Sequence, residues 1–424
     1  MSPTFRSLAV RNYRIYASGQ LVANVGVWMQ RVAQDWLVLT LSHGSGVALG
    51  VTVGLQFLPM LLFSLWGGTL ADRFPRRSLL LVTASAMGLL AFSLGVVVLT
   101  GLATVHLVMA MAFLLGAVAA LDSPARQAMV AELVTIDDLP NAVALNSASF
   151  NLGRVLGPAT AGLLIAAAGP GWVFVVNAFA YLAVVVALLG LEPRTLRVPD
   201  HAPGERPSLR EGLRYVWARP DMLLVLVTAF FVGTFGLNYQ LTIALMTTQV
   251  FGLGAAAFGM ASTVLAVGSL SGSLLAARRG APPLRLVVGA AGAFGAAAVV
   301  ASLMPSYLFF LAMLPLVGVA VLTLLNAMQS YLQLHSDPGV RGRVMGVYLL
   351  VFMGGTPLGS PLVGWIGQAW GPRWSIALGG LLSVAGALGA AAALARHRQV
   401  TVRAHLRPRP HLHVTPAPER AACG

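Results

Sequence analysis

The sequence predicts an all-α membrane protein with twelve transmembrane helices arranged as two six-helix halves. Of its 424 residues, 57% are hydrophobic and only 9% are charged, whereas a soluble domain is typically about 25% charged. Twelve apolar stretches are each long enough to cross the hydrocarbon core, which takes about 20 residues of helix. These stretches are too long for barrel strands, so helices are the structure that satisfies their backbone in lipid.

Short segments rich in glycine, proline or arginine separate the twelve predicted spans. The first span is too long for a cleaved signal peptide, contains Arg31 and Asp35, and lacks a small-residue cleavage site. The predicted spans are 15–41, 47–71, 78–100, 103–122, 142–168, 172–191, 222–249, 255–277, 284–303, 306–333, 343–369 and 373–395.

The position of the arginines predicts the orientation in the membrane. All 27 basic residues are arginine, and with 13 acids the formal net charge is +14. Five short loops on one side, near 42–46, 101–103, 169–171, 252–254 and 304–306, contain none of them, and Arg373 is the exception on that side. We expect the chain to lie in the plasma (inner) membrane. The positive-inside rule then places both termini in the cytoplasm. Nucleic acid is excluded as a partner because the basic residues are spread over many loops rather than one domain.

A proline-rich polar stretch divides the chain into domains. We expect a six-helix half at 1–191, a cytoplasmic linker at 192–221 with an amphipathic helix near 208–219, a second half at 222–395, and a disordered basic tail at 396–424. The two halves are similar in sequence at corresponding positions, since a Gly-Pro-Gly-Trp run begins span 6 and a Gly-Pro-Arg-Trp run begins span 12. Two similar six-span halves are typical of a transporter fold with its substrate site at the midplane.

The loop after span 2 carries a recognisable run of residues. Residues 67–77 read GGTLADRFPRR, which resembles the cytoplasmic-loop motif of the major facilitator superfamily, with Pro75 where a glycine is usual. A small residue at Gly68 predicts a close approach to a neighbouring helix, and Asp72 and Arg76 are spaced to pair on one helical face. The resemblance implies a latch that holds the two halves in one conformation, formed by Gly68, Asp72, Arg73, Arg76 and Asp122 at the end of span 4. The alternative is that these arginines only set topology, but that role requires neither Gly68 nor Asp72.

Span 5 carries a second motif. Residues 153–162 read GRVLGPATAG, which resembles the span-5 motif of drug:proton antiporters in the same superfamily, with Ala161 in place of one glycine. Small residues let helices pack closely, and a proline kinks a helix by removing a backbone hydrogen bond. The resemblance implies export, and ordinary close packing is the alternative. The residues concerned are Gly153, Gly157, Pro158 and Gly162.

Three charges lie deep inside the predicted spans, namely Arg31, Asp35 and Arg154. Charges in a membrane are costly and mark substrate pathways or proton relays. Arginine stays protonated in proteins, so Asp35 is the candidate protonation site, with the two arginines modulating it. The alternative, which the sequence favours slightly, is a static ion pair between Arg31 and Asp35 that holds span 1 in place.

Other polar and aromatic residues of the spans are candidates for a substrate path, and the alternative is that they join helices to one another. These candidates are Asn24, Trp28, Gln56, Asn151, Asn238, Tyr239, Asn326 and Gln329.

Several longer phrases resemble the enterobactin-exporter-like branch of the superfamily, also called transmembrane secretion effectors. They are residues 11–14 (RNYR), 28–36 (WMQRVAQDW), 123–127 (SPARQ), 141–147 (NAVALNS) and 341–345 (RGRVM). The resemblance implies proton-coupled export of siderophores, antibiotics or related amphipathic compounds. The expected partners are a small-molecule substrate, protons and the lipid bilayer.

An enzyme is disfavoured because the chain lacks H-E-x-x-H, G-x-S-x-G and Walker A motifs. The single cysteine, Cys423, excludes a cysteine-built metal site, and we expect no cofactor, no metal and a monomer. Two alternatives remain open. One is an uptake or facilitated carrier of the same fold without coupling through Asp35, and the other is a membrane receptor or scaffold that transports nothing.

Overall fold

The computed structural model describes residues 3–192, 209–397, 400–405 and 411–416. Within these residues, eleven segments are long and apolar enough to cross a membrane. The first long helix, Arg11–Leu41, is not one of these eleven and brings the number of membrane helices to twelve. It is less apolar than the others because polar and charged residues, Arg31 and Asp35 among them, line one of its faces. The chain is thus a multi-pass bundle of twelve membrane helices in two sets of six.

The first half begins with a short 3-10 helix at Pro3–Ala9 and continues through six long helices. They are α1 (Arg11–Leu41), α2 (Gly46–Arg73), α3 (Arg76–Leu99), α4 (Val105–Leu133), α5 (Leu139–Ala168) and α6 (Pro170–Leu189).

A short surface helix, α7 (Leu209–Trp217), precedes the second half at the position where the sequence predicts an amphipathic helix. The second half contains α8 (Pro220–Phe231), α9 (Tyr239–Leu245), α10 (Ala255–Ala277), α11 (Leu284–Ser302), α12 (Tyr307–His335), α13 (Arg341–Gly354), α14 (Thr356–Ala369) and α15 (Pro372–His397).

One helix is much longer than its predicted span. The sequence predicts that span 4 ends at 122, but α4 continues to Leu133. Its extension buries Ala125, Met129 and Leu133 at helical spacing against α1, α3 and α5. This apolar stripe stabilises the extra turns. The stripe is short and polar residues surround it in the sequence, so it is not recognisable as part of a membrane span.

Two spans of the second half agree with the predicted spans at 222–249 and 343–369, but each contains an irregular turn; they are Pro220–Val250 and Arg341–Ala369. Between α8 and α9 the chain forms a π-helical turn, Val232–Gly236, and a second one, Met246–Val250, follows α9. Glycines at 233 and 236 tolerate this departure from α-geometry. The hydrogen-bond ladder between α13 and α14 is interrupted at Gly355, although the backbone of that residue stays in the right-handed helical region. Pro357, two residues later, has no N–H to continue the ladder.

The basic tail also differs from its prediction. The sequence predicts disorder over 396–424, but two strands, β1 (Val400–His405) and β2 (His411–Pro416), pair in antiparallel register with Val402 opposite Val414. Both segments contain β-branched residues, which favour extended backbone. The rest of the tail beyond 397 lies outside the described residues.

Contacts between the halves are concentrated at one end of the bundle. We call the end where α1 begins and α15 ends the terminal face, and the other end the opposite face. At the opposite face Ser45 donates a hydrogen bond to Gln368 at 2.8 Å, and Gln249 donates one to the Gly44 carbonyl at 2.5 Å. In the described part of the chain, every hydrogen bond that crosses between the halves lies between this face and the level of Arg154. The halves are therefore joined at the opposite face.

Candidate functional site

The centre of α1 presents an aromatic residue and a cation side by side. The guanidinium carbon of Arg31 lies 4.7 Å from the centroid of the Trp28 ring and 5.6 Å from that of Phe57 on α2. An arginine this close to aromatic faces makes cation–π interactions. Phe150 of α5 packs edge-on against the same indole, with ring centroids 5.7 Å apart. The cluster therefore joins three helices of the first half.

Close packing of α5 against α1 brings Arg154 to this cluster. A methyl group added at Gly157 would lie 3.0 Å from the Met29 amide nitrogen, and one added at Gly153 would lie 2.8 Å from the Asn24 carbonyl oxygen. Both positions therefore require glycine for the helices to approach. The guanidinium carbon of Arg154 lies 5.9 Å from the Trp28 centroid, so two arginines share one indole ring.

Arg154 also reaches the second half. Its Nη2 donates a hydrogen bond to the hydroxyl of Ser269 on α10 at 3.1 Å. At the next residue of α5, the Val155 carbonyl accepts a hydrogen bond from the hydroxyl of Thr263 on α10 at 3.1 Å. Gly162 is equally close to α10, since an added methyl would lie 2.8 Å from the Ala255 carbonyl oxygen. In the span-5 motif, Gly153 and Gly157 thus face α1, whereas Gly162 packs against α10 of the other half.

Asp35 lies one helical turn beyond Arg31 toward the opposite face and is 3% exposed. No ion pair of 4.0 Å or less joins it to Arg31 or Arg154 among the described residues. The static Arg31–Asp35 pair, which the sequence favours slightly, is therefore not formed within 4.0 Å in this conformation. A nearby polar pair is buried instead, because Asn177 of α6 donates to the side chain of Gln30.

The residues expected to form a latch have other partners. Asp122 accepts hydrogen bonds from Thr83 at 2.7 Å and from Arg126 Nε at 2.7 Å. Arg76 forms an ion pair with Glu132 at 2.5 Å, and Arg73 is exposed. The contacts of Asp122 and Arg76 thus hold α3 and α4 together within the first half.

The structure differs from the latch prediction in two details of the backbone, and the pairing of Asp72 with Arg76 stays a prediction. Asp72 and Arg76 do not share a helical face, because α2 ends at Arg73 and Phe74 is extended before Pro75. The side chain of Asp72 itself lies outside the described residues. Gly68 has open space around it, whereas Gly67 approaches α4 so closely that an added methyl would lie 3.2 Å from the Leu121 Cα.

Most of the predicted substrate-path residues are hydrogen-bonded between or within helices. Asn24 donates to Ser149 of α5 at 3.0 Å, and Asn326 donates to Ser273 of α10 at 3.5 Å. Asn151 donates to the Ser147 carbonyl at 2.9 Å. Of the whole set, Trp28 is the residue that the structure places beside both deep arginines.

The remaining candidates lie away from that cluster. Asn238 donates to the Thr234 carbonyl at 2.8 Å, and the ring of Tyr239 packs edge-on against Phe294 at 5.9 Å between centroids. Gln56 is half-buried in α2, where its backbone lies against Gly116, and Gln329 is exposed. These four side chains therefore do not converge on one site.

Sequence reasoning missed Phe150 and Ser269 as members of the cluster. Phe150 lies one turn before Arg154 on α5, so extending the polar stripe of span 5 to its aromatic neighbour could have found it. Ser269 belongs to the other half, and nothing in the sequence shows which residue of α10 faces Arg154. In the described part of the chain, no group of three or more His, Cys, Asp or Glu side chains is arranged to hold a metal ion.

A family model described as transmembrane secretion effector matches residues 2–421. The enterobactin exporter EntS of Shigella flexneri is 27% identical over 89% of this chain and 88% of its own length. The staphyloferrin A transporter of Staphylococcus aureus is 27% identical over 62% of this chain and 66% of its own length. The multidrug efflux pump Tap of Mycobacterium bovis is 28% identical, with 83% of this chain and 86% of that protein covered.

Solved transporter structures share the fold. A bacterial homologue of the human lysosomal transporter Spinster, in an inward-facing and occupied conformation, superposes with a TM-score of 0.71 at 16% identity, covering 93% of this chain and 98% of that one. A D-xylose–proton symporter superposes with a TM-score of 0.68 at 15% identity, covering 89% and 96%.

Proposed function

Since the chain belongs to the transmembrane secretion effector family of the major facilitator superfamily, we propose that it exports a small amphipathic compound by alternating access. The substrate class would be siderophores, antibiotics or other drugs. Relatives named as a siderophore exporter and as a drug efflux pump support this class. The chain would act as a monomer without a cofactor.

One observation carries this proposal. The Arg31–Trp28–Arg154 cluster lies at the depth in the bundle where the hydrogen bonds between the two halves end. The hydrogen bond from Arg154 to Ser269 is the crossing contact nearest the terminal face in the described residues. A site at the midplane, sealed on one side by contacts between the halves, is the arrangement that alternating access requires. The arginine-rich loops argue that the terminal face is cytoplasmic, so this conformation would face inward.

In the outward-facing state, the latch would operate. Its residues Gly68, Asp72, Arg73, Arg76 and Asp122 lie at the terminal face, which would close when the opposite face opens. The open space around Gly68 supports this idea, because a helix of the second half could approach there after the change.

Asp35 is the group that would carry the proton. It is a buried carboxyl in a membrane span without an ion pair of 4.0 Å or less among the described residues. Such a group can gain and lose a proton as its surroundings alternate, whereas Arg31 and Arg154 stay charged. We propose that proton entry through Asp35 drives export.

Transport into inside-out membrane vesicles tests both parts of this proposal. With an acidic lumen imposed, the wild-type chain is expected to accumulate at least one member of a panel that contains enterobactin, staphyloferrin A and a fluorescent drug. Asp35→Asn is expected to reduce accumulation to the level without a pH gradient. Asp221→Asn is the matched control, because Asp221 is also a buried acid but lies at the start of α8.

Two results would contradict the proposal in different ways. Accumulation only in right-side-out vesicles would mean that the chain takes up its substrate rather than exports it. Unchanged, gradient-dependent accumulation by the Asp35→Asn variant would remove Asp35 from the coupling while leaving export intact.

A further inference from the structure

Two positive charges in the membrane interior lie against the same indole ring. The guanidinium carbons of Arg31 and Arg154 are 4.7 and 5.9 Å from the Trp28 centroid. Like charges at such proximity repel strongly where the surroundings are of low dielectric constant. The cation–π contacts offset only part of this cost, so the cluster would be stabilised by an anion.

Three other buried or half-buried arginines of the first half have an anionic or carbonyl partner, and Arg77 donates to the Leu188 and Leu189 carbonyls. Arg76 is paired with Glu132, and Arg126 is paired with Asp122. Neither Arg31 nor Arg154 has an ion pair of 4.0 Å or less within the described ranges. In the described residues, Arg31 and Arg154 have neither a carboxylate within 4.0 Å nor a hydrogen bond to a backbone carbonyl, which distinguishes this cluster from the arginines that hold helices together.

The cluster also has hydrogen-bond donors in excess. Arg31 Nε and Trp28 Nε1 are buried, and neither has an acceptor in the described part of the chain. Arg154 donates to the hydroxyl of Ser269, which is a neutral partner. Buried donors are normally satisfied, and leaving them unpaired is costly. A ligand that supplies acceptor oxygens would satisfy them.

Aromatic residues lie on one side of the cluster, and that side is accessible. Phe57 lies 5.6 Å from the Arg31 guanidinium carbon, and Phe150 packs against Trp28. Phe150 is 47% exposed, and Ser147 and Val143 continue an exposed face of α5 from it toward the terminal face. A ligand with an aromatic or apolar body could therefore approach from that side and place its anionic group against the cluster.

We propose that the Arg31–Trp28–Arg154 cluster binds the anionic group of the transported compound, so that the substrates are aromatic or amphipathic carboxylates and related oxyanions. The statement that this ligand is transported rests on the proposed export function. The binding itself does not, since it follows from the charges and unpaired donors of the cluster.

Equilibrium binding of a matched pair of small probes tests this inference. The probes are 1-naphthoate, which is anionic, and 1-naphthamide, which has nearly the same shape and no charge. Binding is measured by calorimetry on the full chain in nanodiscs of phosphatidylcholine, without any gradient and without anionic lipid. The wild-type chain is expected to bind naphthoate about tenfold to a hundredfold more tightly than naphthamide, as a charge-assisted hydrogen bond would give.

Variants assign the preference to the cluster. Arg31→Gln and Arg154→Gln are each expected to weaken naphthoate binding by about tenfold or more and to change naphthamide binding by less than about threefold. Arg31→Lys keeps the charge and is expected to retain part of the preference. Arg279→Gln, an exposed arginine at the end of α10, is the matched control and is expected to change neither affinity. Unchanged naphthamide binding by each variant reports that its site is folded.

Equal affinities for the two probes, absence of naphthoate binding, or a preference that survives both glutamine substitutions would overturn the inference. These outcomes are separable from a failure of the proposed export. A chain that prefers naphthoate but accumulates nothing in inside-out vesicles would contradict export alone, and a chain that exports without preferring naphthoate would contradict the anion site alone.

Discussion

The two halves of the molecule share a fold but differ in what lies at their centres. In the first half, α1 and α5 are continuous, and they carry the deep charges Arg31, Asp35 and Arg154. In the second half, the corresponding helices are broken into α8 and α9 and into α13 and α14. Their central polar residues, Thr234 and Asn238, are uncharged.

The difference suggests a division of tasks. Continuous helices hold charged side chains in a fixed geometry, which suits binding. Breaks allow one part of a helix to move relative to the other, and here the two breaks meet. A methyl group added at Gly355 would lie 3.0 Å from the Thr234 amide nitrogen, so the π-helical turn of Val232–Gly236 packs on the α13–α14 junction. We infer that the first half binds the substrate and that the interrupted helices of the second half bend during the conformational change.

The largest expected effect concerns buried ion pairs in each half. Arg126→Gln leaves the buried carboxylate of Asp122 without its cation, and we expect a loss of about 3–5 kcal/mol in the free energy of unfolding. In the second half, Arg219→Gln is expected to cost less than about 1 kcal/mol, because that arginine is more exposed and Asp221 keeps its hydrogen bond from Tyr331 at 2.9 Å. Thermal unfolding of the purified variants measures both, and equal losses would contradict the difference in how the halves hold their acids.

The proposed division of tasks predicts opposite kinetic defects. Gly355→Ala overpacks the junction against Thr234 and is expected to slow transport about fivefold or more, while naphthoate affinity stays within about twofold. Arg31→Gln is expected to act mainly by weakening naphthoate binding. Gly289→Ala is the control, since an added methyl there meets no atom within 4 Å. If Gly355→Ala weakened naphthoate binding as much as Arg31→Gln does, binding and bending would not be separable.

The smallest expected effect concerns the coupling between Asp35 and a bound anion. Asp35 lies one turn from Arg31, so its negative charge would repel an anion held there. We expect Asp35→Asn to tighten naphthoate binding by about two- to fivefold at pH 8. Tighter binding would mean that the negative charge of Asp35 acts on an anion held at the cluster. Unchanged or weaker binding would contradict this electrostatic coupling.

Much of the architecture could be predicted from the sequence. The number of spans, their order and most of their bounds follow from hydropathy, because lipid requires long apolar helices. The breaks in the second half could not be predicted, since the glycines at 233, 236 and 355 resemble those inside the unbroken α5. The difference lies in their neighbours, because Gly153 and Gly157 pack against the continuous helix α1, whereas Gly355 packs against a π-helical turn.

The sequence by itself determined that Arg31, Asp35 and Arg154 are the charges deep inside the predicted spans, and it predicts a role for them because a charge in a membrane span is costly. It could not determine their partners, since helical spacing alone makes Arg31 and Asp35 neighbours. Only the tertiary structure decided that Arg31 turns to Trp28 and Phe57, and that Arg154 joins it there and reaches Ser269. The physical reason is that the glycines of α5 bring two helices together, and this contact, rather than position along one helix, sets which side chains meet.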